Sequence, residues 1–156
     1  MPIALSFHRL LVSSALGLAA AAVTMPAAAQ FAMVPSPLLT TAQPSQAESD
    51  KDYKTDAAKH LYAAYPMRIF KGKMPPLLYA VGVLNVEIDQ VGRVTRLDWM
   101  RAPNHAPEVV AEIERTVRKA APFPAPSRMG KVVYTDTWLW HKSGKFQLDT
   151  LTEGQN

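Results

Sequence analysis

The chain has 156 residues, with 17 Lys and Arg against 13 Asp and Glu, a formal net charge of +4 and no cysteine. This length favours one compact domain over a multidomain enzyme, and a charged fraction of 19% argues against a disordered polyelectrolyte. The lack of cysteine excludes disulfides, thiolate metal sites, a Cys nucleophile and a lipidated N-terminal Cys.

Residues 1–29 have the pattern of a secretory signal peptide. Arg9 precedes an apolar run from Leu10 to Val23, and small residues precede Gln30. The run is too short to cross a membrane, which takes about 20 residues. We therefore predict a periplasmic protein that is cleaved after Ala29. An anchor in the inner membrane is the alternative if the signal is not cleaved.

Residues 30–48 contain Pro35, Pro37 and Pro44, and their first charged residue is Glu48. This composition predicts a flexible linker. The folded domain is then expected over residues 49–151, followed by a frayed tail at residues 152–156.

The domain begins with a helical pattern. Ser49 is the predicted N-cap, and an apolar stripe recurs at four-residue spacing. The helix should end near Ala64, because a residue that precedes proline avoids the helical region. A second short helix is expected over Met67–Lys71. The stripe consists of Tyr53, Ala57 and Leu61.

Two predicted strands follow and form an antiparallel hairpin. Leu77–Asp89 alternates apolar and polar residues, which is typical of a half-buried strand. Gly92 lies in the turn, and Arg93–Met100 runs back.

Pro107–Ala121 is the clearest predicted helix, with a buried stripe on one side. Glu112 is expected to be solvated, so that its replacement should cost little stability. Lys131–His141 is the predicted last strand of a three-stranded sheet, and Lys145–Leu148 is left open as a short fourth strand. The stripe consists of Val109, Val110, Ile113 and Val117.

The residues contain no catalytic, metal or cofactor motif. The histidines at positions 8, 60, 105 and 141 lack the spacing of a metal site, and no Gly-rich phosphate loop or G-x-S-x-G motif occurs. We therefore predict a protein without enzymatic activity, metal or cofactor, and an exported hydrolase is the weakest alternative. Basic residues near Arg68 and Arg96 are candidates for anionic lipid or cell-wall polymer, whereas export argues against nucleic acid.

Several motifs in order resemble the TonB C-terminal domain family. They are Tyr65-Pro66, the strand Val83–Asp89, Gly92-Arg93-Val94, the following helix and the segment Ala120–Pro126. The resemblance covers about Tyr65–Trp140. It implies an α+β fold in which a small three-stranded antiparallel sheet carries a helix on one face, here with an additional N-terminal helix.

The resemblance also implies a binding role, in which the last strand pairs with an extended segment of an outer-membrane transporter. An edge strand can do this because its N–H and C=O groups are unpaired. Unlike full energy transducers of this kind, the chain has no His in Leu10–Val23 and has a short linker. A structural envelope protein that binds cell-wall polymer, or that self-associates as a homodimer through a sheet edge, is the alternative.

The last strand carries the most specific prediction. Val133 and Leu139 are expected to face the helix, with three aromatic side chains on the opposite face. That aromatic face is either open to a partner or covered by the first helix. Asp136 is a candidate gatekeeper against self-pairing. The predicted partner-binding residues are Tyr65, Pro66, Tyr134, Thr135, Asp136, Thr137 and Trp138.

Overall fold

The computed structural model describes residues 42–155. The predicted signal peptide, its cleavage site after Ala29 and residues 30–41 of the predicted linker lie outside the described residues. In the part described, no helix combines the length and the apolar character that crossing a membrane requires. The elements are α1 (Asp50–Ala64), β1 (Ala80–Ile88), β2 (Val94–Arg101), α2 (Pro107–Ala120), β3 (Val132–Trp140), β4 (Phe146–Leu148) and a 3-10 turn (Asp149–Leu151).

The fold is α+β and contains a four-stranded antiparallel sheet in the order β2-β1-β3-β4, with two helices. β1 and β3 pair along their whole length, from Ala80 opposite Trp140 to Ile88 opposite Val132. β4 adds a fourth strand beside Trp138–Trp140, so the expected count of three strands was wrong. A tight turn connects β3 to β4, and in it Gly144 has a φ of 79°, a conformation that glycine adopts without a steric cost.

The hairpin turn between β1 and β2 is held by Asp89. Its Oδ1 accepts the backbone N–H groups of Val91 at 3.0 Å and Arg93 at 2.8 Å. Gly92 has a φ of 84°, and a Cβ there would lie 2.1 Å from the carbonyl oxygen of Phe123. The turn therefore requires glycine for both its conformation and its contact.

Both helices lie on one side of the sheet, which we call the core face. Even-numbered residues of β1 and β3 form this face, and those of β3 are 5% exposed or less. Trp99 of β2 donates its indole N–H to Glu114 of α2 at 2.9 Å, which places α2 over β2. The buried β3 residues are Val132, Tyr134, Asp136, Trp138 and Trp140.

Helix α1 covers the aromatic side of β3. Ser49 caps the helix by accepting the N–H of Asp52 at 3.2 Å, and the stripe that includes Tyr53 and Leu61 is fully buried. Of the two alternatives for the aromatic face, coverage by the first helix is therefore the observed one. The expectation that Val133 and Leu139 face the helix was wrong, since Val133 is 45% exposed.

The segment after α1 is not the short helix expected over Met67–Lys71. Pro66, Met67 and Arg68 form a turn, and the next residues lie beside β4. Phe70 N–H donates to the carbonyl of Phe146 at 3.0 Å, and Phe146 N–H donates to that of Arg68 at 2.9 Å. An extended segment forms here because it satisfies the outer backbone groups of β4.

The folded part extends beyond the predicted limits at both ends. Ser45, in the predicted linker, is 3% exposed, and its N–H donates to the carbonyl of Ala125 at 3.0 Å. At the C-terminal end, Met74 N–H donates to the carbonyl of Gly154 at 2.8 Å. The tail is paired rather than frayed, because the backbone of residues 72–74 needs partners that the sheet does not supply.

Candidate functional site

The candidate site is the outer edge of β3, on the side away from β1. The carbonyl of Trp140 accepts the N–H of Tyr79 at 2.9 Å, while His141 N–H donates to Lys145 on the β4 side at 2.9 Å. Backbone groups alternate in direction along an antiparallel strand. The N–H groups of Val133 and Thr135 therefore point away from β1.

β4 covers only the last third of this edge, because it pairs with Trp138–Trp140. Among residues 42–155, no backbone group pairs with the outward groups of Val133 and Thr135. The Thr135 hydroxyl donates to Asn85 Oδ1 of β1 at 2.7 Å, so the side chain of Thr135 is held against β1. The result is a short free edge at the start of β3.

Asp136 blocks the part of this edge that lies between Thr135 and β4. Its Oδ1 accepts the N–H of Thr137 at 2.9 Å and that of Thr150 at 3.2 Å. Its Oδ2 accepts the hydroxyl of Tyr134 at 2.8 Å, and Lys54 Nζ lies 3.8 Å from Oδ1. Asp136 thus occupies the outward N–H of Thr137, while its own side chain is 1% exposed beneath α1.

Tyr134 and Trp138 do not face a partner. Each is 1% exposed, and Trp138 packs against Phe146 with ring centroids 4.8 Å apart. Burial, together with the nearby Asp136 carboxylate, raises the pKa of Tyr134 well above its ordinary value. These two predicted partner-binding side chains are inaccessible to a partner, because α1 and Phe123 close the core over them.

Tyr65 and Pro66 lie apart from the β3 edge. The Tyr65 hydroxyl donates to the carbonyl of Thr116 in α2 at 3.0 Å, and Pro66 is exposed in the turn that follows α1. The predicted partner-binding residues are therefore divided between the edge, the core and the α2 side of the domain.

Arg68 has a role that its sequence context did not reveal. Its guanidinium contacts Glu112 Oε1 at 2.6 Å and Thr116 Oγ1 at 3.1 Å, and it lies 5.3 Å from the Trp140 ring centroid. Burial lowers the pKa of Arg68. A residue that resembled part of a basic surface thus joins the segment after α1 to α2 and the sheet.

The face of the sheet opposite the helices, which we call the open face, adjoins the free edge. Its residues in β1 and β3 are half-buried or exposed. A cavity of about 490 Å³ lies at its end, where β3 begins, and is lined by Lys131, Val133, Glu87 and Asp89 among others. The open-face residues of β1 and β3 are Val81, Val83, Asn85, Glu87, Val133, Thr135, Thr137 and Leu139.

The three histidines in the described part have local partners. Rings of His60 and His105 lie within 2.8 Å of the carbonyls of Ala120 and Tyr79, and His141 contacts Ser143. Within residues 42–155, no group of three His, Cys, Asp or Glu side chains could hold a metal ion.

Comparison of the chain with family models, with curated proteins and with solved structures gave no match.

Proposed function

We propose that this chain is a non-enzymatic, periplasmic, TonB-like module that binds a protein by strand addition at the start of β3. The single observation that carries the proposal is the outward direction of the Val133 and Thr135 backbone groups, with no strand beside them in the described part. Such groups bind an extended segment through backbone hydrogen bonds.

The surroundings of the edge define the partner segment. Because β4 and Asp136 occupy the rest of the edge, the segment can pair with β3 only over about Val132–Thr135. Its side chains on the open-face side would lie beside Val133, which is 45% exposed and apolar. We therefore expect a short extended segment with an apolar residue at that position, and the TonB resemblance makes an outer-membrane transporter its source.

Beyond the α+β fold, the proposal includes a correspondence of elements with the TonB C-terminal domain and a location in the periplasm. In it, β1, β2, α2 and β3 correspond to the TonB-like unit, and α1 is an addition that covers the aromatic face of β3. Signal cleavage after Ala29 would make the module free in the periplasm. An uncleaved apolar segment would instead anchor it in the inner membrane, as full energy transducers of this kind are anchored.

A polymer-binding envelope protein is the alternative, and it would need basic side chains that are free to bind an anionic polymer. Arg68 is bound to Glu112, and Arg96 lies 3.9 Å from Glu87 and 3.7 Å from Asp98. These arginines already have acidic partners, which weakens their attraction for an anionic polymer.

Site-specific photo-crosslinking tests the proposal. A benzophenone amino acid at Val133 should crosslink an outer-membrane protein in cells, whereas the same group at exposed Lys59 on α1 should not. The crosslinked segment, made as a synthetic peptide, should then bind the purified chain. Thr135→Pro removes the outward donor and should abolish that binding.

Thr135→Val is the matched control, because it keeps the N–H and the β-branched shape but loses the hydroxyl bond to Asn85. It should bind the peptide nearly as well as the parent chain. If a folded Thr135→Pro variant binds the peptide as tightly as Thr135→Val does, strand addition at this edge is excluded. Intact-mass analysis of periplasmic protein tests the cleavage after Ala29.

A further inference from the structure

The other edge of the sheet is formed by β2, and no strand of the described part lies beside it. Its central residues, Arg96 and Asp98, are exposed on the open-face side. We propose that β2 pairs antiparallel with β2 of a second copy of this chain, around a two-fold axis that passes through Leu97.

The backbone of β2 presents the groups that this pairing needs. At the end of β1, the N–H of Asp89 donates to the carbonyl of Arg93 on the β2 side at 3.0 Å. The alternate residues Glu87 and Asn85 therefore also direct their backbone groups to β2. The backbone N–H and C=O groups of their partners, Asp98 and Arg96, therefore point toward β1. Leu97, which lies between them, directs its N–H and C=O outward. With the axis at Leu97, the two Leu97 residues exchange both hydrogen bonds.

The charges of β2 favour this register. Arg96 and Asp98 are 65% and 55% exposed at their side chains, and their nearest charged atoms are 3.7 Å apart. An axis through Leu97 places Arg96 of each copy directly opposite Asp98 of the other, which produces two attractive pairs. Opposite charges across a strand pair stabilise it, and like charges destabilise it.

The other symmetric registers lack this complementarity. An axis at Arg96 places the two arginines opposite each other, and an axis at Asp98 does the same with the two aspartates. An axis at Trp99 places Asp98 opposite Met100, which is uncharged. Charged residues on an edge usually prevent pairing, but the order Arg-Leu-Asp prevents it for most partners and permits it for a second copy.

The proposed dimer does not depend on the proposed function. β1 and β3 separate the β2 edge from the outer edge of β3. Arg101 would lie opposite Arg93 at the ends of the pairing, where Arg93 is held 3.3 Å from its own Asp89. This arrangement restricts the favourable contacts to the centre of β2.

Charge exchange on the full chain tests the proposal, with sedimentation velocity as the readout. The parent chain should dimerise, and Arg96→Asp and Asp98→Arg should each raise the dimer dissociation constant about tenfold or more, because two attractive pairs become repulsive. A 1:1 mixture of the two variants should dimerise again, since every Asp at position 96 or 98 of one then faces an Arg of the other. Lys59→Asp changes the charge equally on exposed α1 and should leave the dimer unchanged.

Cysteine crosslinking checks the register independently, because the chain contains no cysteine. Hydrogen-bonded residues across antiparallel strands have Cα atoms about 5.5 Å apart, which suits a disulfide. Leu97→Cys should therefore form disulfide-linked dimers on oxidation, much faster than Thr95→Cys. A monomeric parent chain, a mixture that fails to restore dimers, or equal crosslinking at positions 95 and 97 would each overturn the proposal.

Discussion

Alternate residues of the same strands make the core face and the open face, and the two differ sharply. Along β3, Tyr134 and Trp138 are 1% exposed, while Val133 between Val132 and Tyr134 is 45% exposed. The core face receives both helices and carries aromatic residues, whereas the open face carries Val, Thr and Asn. The difference teaches that aromatic residues on one face of a strand indicate a core as readily as a binding surface, and that the packing of helices decides between the two.

The comparison is tested most strongly by truncating one residue on each face. Trp138→Ala removes a fully buried indole that packs on Phe146 and should lower the free energy of unfolding by about 3–5 kcal/mol. Val133→Ala, on the open face of the same strand, should lower it by less than about 1 kcal/mol. Urea denaturation measures both, and similar losses would contradict the assignment of the faces.

Overpacking the core face should cost less than emptying it. A Cβ at Gly82 would lie 2.7 Å from a ring carbon of Trp99 and 2.9 Å from Pro103 Cδ. Gly82→Ala should therefore displace Trp99 and destabilise the fold by about 1–3 kcal/mol. Val81→Ala, the neighbouring change on the open face, is the control. A thermal shift for Gly82→Ala no greater than that of the control would show that this part of the core has spare room.

The next prediction concerns the contact of Arg68 with Glu112 of α2, at the border between the core and the solvated surface. Glu112, which the sequence placed on a solvated surface, binds Arg68 at 2.6 Å and also contacts Arg115. Glu112→Ala leaves Arg68 without its carboxylate above Trp140 and should cost about 1–2 kcal/mol, since both side chains are partly exposed. Arg118→Ala, on exposed α2 surface, should cost less. If urea denaturation gives an equal loss of unfolding free energy at the two positions, Glu112 is a solvated surface residue and its contact with Arg68 does not stabilise the fold.

The smallest effect is expected at the hairpin turn on the open-face side. The backbone N–H of Arg93 holds the pKa of Asp89 below its ordinary value. A carboxyl whose pKa is lower in the folded state stabilises the fold above its unfolded pKa, and this contribution disappears as the pH falls through the folded pKa. The melting temperature of Asp89→Asn should therefore be slightly below that of the parent at neutral pH, and the gap should close below about pH 4. A constant gap from pH 7 to pH 2 would exclude this role of the charge.

Much of the fold could be predicted from local patterns. Ser49 and the Tyr53 stripe predicted a helix that ends near Ala64, and α1 covers Asp50–Ala64. The stripe of α2 predicted burial of Ile113 and Val117, which are 1% and 0% exposed. These predictions agreed with the structure because capping, periodicity and proline act within a few residues of the chain.

The candidate site was less predictable. Thr135 was placed on the strand that offers the free edge, but the direction of its N–H follows from pairing with β1, which is remote in sequence. The face of Tyr134 and Trp138 was left either open or covered, because alternation divides a strand into two faces without indicating which face the helices cover. Arg68 carried no sequence signal that distinguishes a bound guanidinium from a solvated one.

The sequence by itself determined where the helices and main strands lie and where the hairpin turns, since each depends on short-range sterics and hydrogen bonding. Tertiary structure alone decided which face of β3 is buried, that residues 68–70 and β4 lie side by side, and that the C-terminal tail pairs near Met74. These features consist of backbone groups and apolar surfaces that find partners far along the chain. Their side chains leave no local pattern, because the partner of a backbone N–H is selected by position in space rather than by residue type.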